Sequence, residues 1–177
     1  MKVRPLTIED MPEVTLLGYE MHQESPNYQN LGYSPQKCLK LLDTIKENPN
    51  EFCGFVAESE SRIVGIFLGA MCEMYFSEDL VASDILIYVI PEKRGSFALF
   101  RLVRAFEDWA DNLGAVEKTL AVSSGVHPEK TLSAFLRLGY TPSAHQVSKR
   151  TLPHVVQETK EGASRRDCSA SAAASGC

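Results

Sequence analysis

The chain reads as one mixed α/β domain followed by a polar tail. Three observations predict this. Short apolar, β-branched segments alternate with runs whose apolar residues recur at helical spacing. Proline and glycine fall at the joins between these segments, as at Ser34-Pro35, Ile90-Pro91, Leu113-Gly114 and Leu138-Gly139. Beyond Pro153 the apolar residues thin out, and residues 169–176 are only Ser, Ala and Gly.

The elements follow in order. Residues 3–6 predict a short strand. Thr7 stands three residues before Asp10, the spacing of a capping box, and Glu9 adds an acidic first turn. Met11, Val14, Leu17, Gly18 and Met21 repeat at helical spacing, so a first helix runs to about His22. Ser25-Pro-Asn27 and Asn30-Leu-Gly32 mark a loop. Ser34-Pro35 predicts an N-cap and first-turn proline for a second helix, reaching Lys46 and closed by Asn48-Pro-Asn50. Residues 52–58 and 62–71 predict two strands joined at Ser59-Glu-Ser61, and residues 80–90 a third. A helix over 96–113 stops at Gly114, a strand follows at 118–122, and a helix over 128–138 stops at Gly139. A last strand or hairpin is expected over 140–152. The predicted order is β-α-α-β-β-β-α-β-α-β, with a domain over residues 1–152 and a disordered tail over 153–177 that cannot offset its ordering entropy.

Composition narrows the function. The chain is 44% hydrophobic and 23% charged, with 18 Lys+Arg against 23 Asp+Glu and a net charge of −5. That balance argues against a general nucleic-acid binder or a binder of anionic membranes. The cysteines at 38, 53, 72, 168 and 177 are odd in number and widely spaced, so no zinc or disulfide framework is expected. His127, His145 and His154 show no ligand spacing, and no metal site is proposed. The opening residues read as the start of a strand rather than a signal peptide. The most apolar run, residues 63–72, is too short to span a bilayer, and a cytoplasmic location is expected.

The stretch that carries chemistry runs from Asp84 to Trp109. The strand Ser-Asp-Ile-Leu-Ile-Tyr-Val-Ile ends at Pro91, a basic turn Glu-Lys-Arg-Gly95 follows, and an amphipathic helix begins at once. A helix N-terminus offers unpaired N–H groups and the positive end of its dipole. Beside Lys93 and Arg94 it suits a phosphate or pyrophosphate. The plainer reading makes the two cations solvated turn residues. Phe97, Leu102, Phe106 and Trp109 follow helical spacing and read as core. Asp84 and Tyr88 lie four apart in a strand and are expected on one face, where a carboxylate and a phenol can act as base and acid. The plainer alternative is a strand-start residue and half-buried packing. Ser123 and Ser124 either line a cleft or cap the following helix. His22, with an imidazole suited to base work, is equally readable as a dipole partner at a helix end.

This order resembles the GNAT superfamily of acetyl-CoA-dependent N-acetyltransferases. The most specific likeness is Tyr88-Val-Ile-Pro-Glu-Lys-Arg-Gly95, similar to a strand ending Val-x-Pro followed by Arg-x-x-Gly-x-Gly/Ala. Phe135-Leu-Arg-Leu-Gly-Tyr140 resembles the family's Phe-Tyr-x-x-Leu-Gly-Phe/Tyr. His22-Gln-Glu-Ser-Pro26, Tyr75-Phe-Ser and Arg104-Ala-Phe-Glu-Asp-Trp-Ala110 resemble a bacteriophage-associated branch. The resemblance implies a mostly antiparallel central sheet flanked by helices, with central strands splayed to admit a pantetheine arm. It implies acetyl-CoA as cosubstrate. Backbone groups of Val89 and Ile90 would pair with the arm, and amides over Arg94, Gly95, Ser96, Phe97, Ala98 and Leu99 would hold the pyrophosphate. Asp84 and Tyr88 are the candidate catalytic pair, and His22 and Glu24 the candidate wall for a small-molecule or protein amine. A homodimer is compatible with it, and a phage-encoded protein would reside in host cytoplasm or virion. Phe97 and Leu99 depart from the family's small residues. At Leu136 the family often has a tyrosine that protonates the leaving thiolate. These departures keep a non-catalytic binding or structural protein, including a phage particle component or host-directed accessory factor, as the alternative.

Overall fold

Twelve residues, Arg62–Glu73, form the strand at the centre of the molecule. A computed structural model of the chain describes residues 1–149. The central strand is β3, because Lys2–Pro5 (β1) and Phe52–Ser59 (β2) precede it. Seven consecutive residues of β3 are buried, as expected for a strand covered on both faces. Leu80–Val89 (β4) and Glu117–Thr119 (β5) complete a five-stranded sheet in the order β1-β2-β3-β4-β5. All neighbours are antiparallel except β4 and β5. The β2–β3 hairpin turns through Glu60 and Ser61, both at positive φ (54° and 61°), the backbone that suits a tight hairpin.

Four helices cover this sheet: Met11–Glu24 (α1), Pro35–Glu47 (α2), Ala98–Asn112 (α3) and Pro128–Arg137 (α4). Ladder parity assigns the faces. A Cβ on Gly54 would meet Ile45 of α2, whereas one on Gly69 would meet Phe106 of α3. Gly54 pairs with Leu68, one residue from Gly69, so α2 and α3 lie on opposite faces. That same Gly69 Cβ would come within 2.9 Å of Cys53 Sγ, so a side chain there requires the core to shift. On the α3 face Phe67 stacks on Phe106 with ring centres 4.6 Å apart, and both are fully buried.

The element order predicted from sequence is borne out through α4, with ends moved by a few residues. The expected strand over 140–152 is not formed among the described residues. Residues 141–149 carry no regular structure, and all of them are exposed. Pro142 lacks a backbone donor, and the sequence there has no apolar alternation that would fix a register. Met1–Pro142 forms one compact unit, and the described part of the second unit is 143–149. The expectation of a disordered tail over 153–177 falls outside the described residues.

The first strand is tied down by charge. Arg4 donates to Asp10 at 2.6 and 2.8 Å and to Glu58 at 3.0 Å, while Asp10 also accepts the Thr7 amide and hydroxyl. The Arg4 guanidinium holds the Asp10 carboxyl down at about 2, from an ordinary 3.8. A depressed folded-state value means this contribution is present in full above the ordinary value and is lost as pH falls toward 2. Asp10→Asn is therefore expected to lower stability at neutral pH and to flatten the acid limb of a stability-against-pH curve between those values.

Candidate functional site

β4 and β5 pair only over Val81–Ser83 and Glu117–Thr119. Beyond Ser83, no strand among the described residues pairs with that edge of β4, which runs on to Val89, while the chain after Thr119 turns away. The fork opens into a cleft of about 930 Å³, lined by the second half of β4, residues 121–124, the turn after Pro91 and the start of α4.

Asp84 stands at the base of the fork, and its Oδ1 accepts the Ala121 N–H at 2.7 Å. This contact holds the departing strand where pairing ends. Burial pushes the Asp84 carboxyl up, and the Ala121 amide pulls it the other way. Asp84→Ala removes the acceptor of the Ala121 amide, which is exposed to water, and is expected to cost about 0.5–1.5 kcal/mol. Asp84→Asn keeps an acceptor and is expected to cost less. Denaturant melts of both variants check this; a base role predicts instead that Asn harms turnover as much as Ala.

The same-face expectation for Asp84 and Tyr88 fails. Gly69 pairs with Asp84, but Leu68 pairs with Leu86, so Ile85 is an extra residue on β4. Such a bulge inverts the side-chain parity of the residues beyond it. Asp84 lies on the face of Gly69 and α3, and Tyr88, opposite Ile66, lies on the face of α1. Tyr88 is 7% exposed, lines the cleft and directs its hydroxyl to Glu24 Oε2 at 3.4 Å. Burial, and then the Glu24 carboxylate, push this phenol up to about 12.

The turn after β4 is built from Pro91–Lys93 and Gly95. Gly95 sits at φ +79°, a conformation that favours glycine. Phe97 adopts φ −76°, ψ 5°, open to any residue, and its ring is 73% exposed. A second glycine is therefore not required by the backbone at Phe97. Ser96 Oγ accepts the Ala98 N–H at 3.2 Å. Among the described residues no protein acceptor meets the amides of Gly95, Phe97, Leu99 or Phe100. Gly95, Ser96, Leu99 and Phe100 line the cleft, so the turn presents unpaired N–H donors there, as an anion site requires.

Arg94 does not face open solvent. Its Nη1 and Nη2 bind Glu24 Oε1 and Oε2, each at 2.5 Å, and its Nε binds the Val89 carbonyl at 3.0 Å. The Glu24 carboxyl is held below its usual range, chiefly by these bonds. The Ile90 N–H is bonded to the Val64 carbonyl at 3.0 Å, so it is not free to pair with a ligand. His22 is also committed: it is buried, Nε2 meets the Leu31 carbonyl at 2.9 Å, and Nδ1 lies 3.1 Å from Gln23 Nε2. Since an amide nitrogen only donates, Nδ1 accepts and Nε2–H donates. His22 does not line the cleft.

Ser123 and Ser124 line the cleft, and their carbonyls accept from Asn27 Nδ2 at 2.8 Å and Ser25 Oγ at 2.5 Å. Ser124 Oγ accepts the Val126 N–H at 3.3 Å, and the N-cap of α4 is His127 at φ +45°. Leu136 is 46% exposed and lies off the cleft, whereas Phe135 is 3% exposed and lines it. Several residues of α4 line the cleft, Ser133, Ala134, Phe135 and Arg137 among them, but the position singled out by the resemblance, Leu136, does not.

Among the described residues no cluster of three or more His, Cys, Asp or Glu could hold a metal, and no helix is long and apolar enough to cross a membrane. No family model matches the chain, and no curated protein sequence does. Solved structures do match. A transcriptional regulator from Bacillus halodurans shares 17% identity over 85% of this chain and 99% of its own, with a TM-score of 0.69. An aminoglycoside 6'-N-acetyltransferase from Acinetobacter haemolyticus shares 16% identity over 85% and 98%, with a TM-score of 0.66. The acetyltransferase AAC(6')-Iy, in complex with the bisubstrate analogue CoA-S-monomethyl-acetylneamine, shares 18% identity over 85% and 97%, with a TM-score of 0.67. The chain shares its fold with these structures. Identities this low extend the likeness to the fold alone. The bacteriophage-associated branch finds no support among these GNAT-fold neighbours.

Proposed function

We propose that this protein transfers an acetyl group from acetyl-CoA to a primary amine. The observation that carries the reading is the fork between β4 and β5. An unpaired strand edge and an anion-binding turn open into one cleft, which fits an extended acyl carrier with a pyrophosphate. AAC(6')-Iy, a neighbour of this fold, is in complex with a CoA-containing analogue, which supports a carrier of that class. In this reading the free edge of β4 pairs with the carrier, and the amides of Gly95, Phe97, Leu99 and Phe100 hold its phosphates.

The chemistry asks for three things. The attacking ammonium loses a proton to solvent, the amine forms the new C–N bond as the C–S bond breaks and loses a second proton, and the departing thiolate gains one. Tyr88 is the candidate acid, because its phenol stays protonated and faces the cleft. Glu24 is the candidate anion for the acceptor's positive charge, since it is bonded to Arg94 and Tyr88, which line the cleft. Asp84 acts at one remove, by holding the fork open. Neighbours of this fold include enzymes named for aminoglycosides, which supports a small amine as acceptor.

Leu136 favours a second reading, a binding protein without turnover, because it stands where the resembled family often has a tyrosine and it lies off the cleft. One assay decides between them. Free thiol release from acetyl-CoA is followed with a panel of primary amines that includes neamine. Amine-dependent release is expected. Tight CoA binding with no release for any amine would favour the non-catalytic reading.

A further inference from the structure

We propose that Arg94 is an internal ligand of the cleft: it occupies Glu24 in the free protein and trades that carboxylate for a phosphate of the carrier. Loading the carrier then uncovers an anionic subsite for a cationic amine. This exchange rests on the acetyl-transfer reading and adds an order of binding to it.

The geometry is specific. Glu24 ends α1 behind the cleft lining, and Arg94, which lines the cleft, follows β4 70 residues later in the sequence. Arg94 reaches back with both terminal nitrogens to both oxygens of Glu24, the fork-to-fork pairing in which guanidinium and carboxylate match best. Its Nε covers the Val89 carbonyl on the free edge of β4, and its guanidinium carbon lies 5.6 Å from the centre of the Tyr88 ring. One side chain thus covers the last carbonyl of the open strand, the carboxylate of the acceptor wall and the face of the candidate acid. These three groups serve carrier, amine and proton transfer in the proposed reaction.

Exchange is feasible because the pair is not sealed. Both side chains are 29% exposed, and Arg94 and the unpaired amides after Gly95 line the same cleft. A phosphate at those amides offers the guanidinium a second bidentate partner. Among the described residues Arg94 is the only cation in ion-pair contact with Glu24, so its departure leaves that carboxylate without a counter-charge. The His127 imidazole influences Glu24 at longer range, and Tyr88 retains its hydroxyl contact. A planar cation already fits this site, which marks the acceptor as a protonated amine or amidine rather than a neutral nucleophile. Coupling of this kind is reciprocal: whatever factor the carrier contributes to amine binding, the amine returns to the carrier.

CoA titrations by calorimetry on the wild type, Glu24→Gln, Arg94→Gln and the double variant test the exchange. Glu24→Gln removes the competitor for Arg94, so CoA is expected to bind about 3–10-fold tighter. Arg94→Gln is expected to weaken binding, and the double variant to match it within about a factor of two, because Glu24 acts only through Arg94. Arg94→Lys keeps the charge but loses the fork, and its CoA affinity is expected to be insensitive to Glu24→Gln. Unchanged or weaker CoA binding in a well-folded Glu24→Gln protein would overturn the exchange, as would a Glu24 effect that persists without Arg94. Both results leave the acetyl-transfer reading standing. Failure of all four proteins to bind CoA would remove that reading and the exchange with it.

Discussion

Phe106→Ala is expected to destabilise the domain by about 3–5 kcal/mol. Phe106 has no exposed surface, stacks on Phe67 at 4.6 Å and packs beside Trp109 at 6.1 Å. It also fills the space over Gly69, where no Cβ fits. Removing its ring leaves a cavity between α3 and β3, with little nearby that can collapse into it. For a domain of this size the loss corresponds to a fall in Tm of roughly 10 °C or more. Phe97→Ala, on the same sequence stretch but with a 73% exposed ring, is expected to stay within about 0.5 kcal/mol of the parent. Thermal melts of the pair separate the buried role of the helix from its N-terminal turn.

The largest effect on turnover is expected from Tyr88→Phe. The substitution keeps the ring that packs between β4 and α1 and removes only the hydroxyl. Loss of a general acid costs on the order of 10²-fold or more, unless water replaces it. The kcat should fall while affinity for the carrier stays within about twofold, since the proposed pyrophosphate site lies at the backbone amides after Gly95, away from the Tyr88 hydroxyl. Because burial holds the phenol up at about 12, Tyr88 contributes no falling limb to the rate profile between pH 6 and about 10. An unchanged kcat in Tyr88→Phe would remove Tyr88 as the acid and pass that role to water.

Element order was legible because punctuation residues state it directly. Ser34-Pro35 opens α2 with the Ser34 hydroxyl accepting the Lys37 N–H at 3.3 Å, and Gly114 follows the end of α3 at positive φ. The strand–turn–helix unit that forms the cleft was legible for the same reason, from Pro91 and Gly95. What the sequence did not disclose are facts of register and tertiary contact. The extra residue at Ile85 has no composition signal, so a period of two carried across it put Asp84 and Tyr88 on the wrong shared face. The family resemblance placed attention on Leu136, although burial shows that Phe135 is the inward residue. Arg94 looked like an open cation because its partner, Glu24, lies on another element far away in sequence. His22 looked available because its two ring contacts come from a loop carbonyl and an adjacent amide that no motif announces.

Hydrogen–deuterium exchange with and without millimolar CoA tests the central claim most directly. The account predicts slowed exchange at residues 85–89, along the free edge of β4, and at residues 95–100, where the turn donates its amides, with β1 and β2 unaffected. No change at any concentration of CoA, or protection confined to surfaces outside the fork, would contradict it.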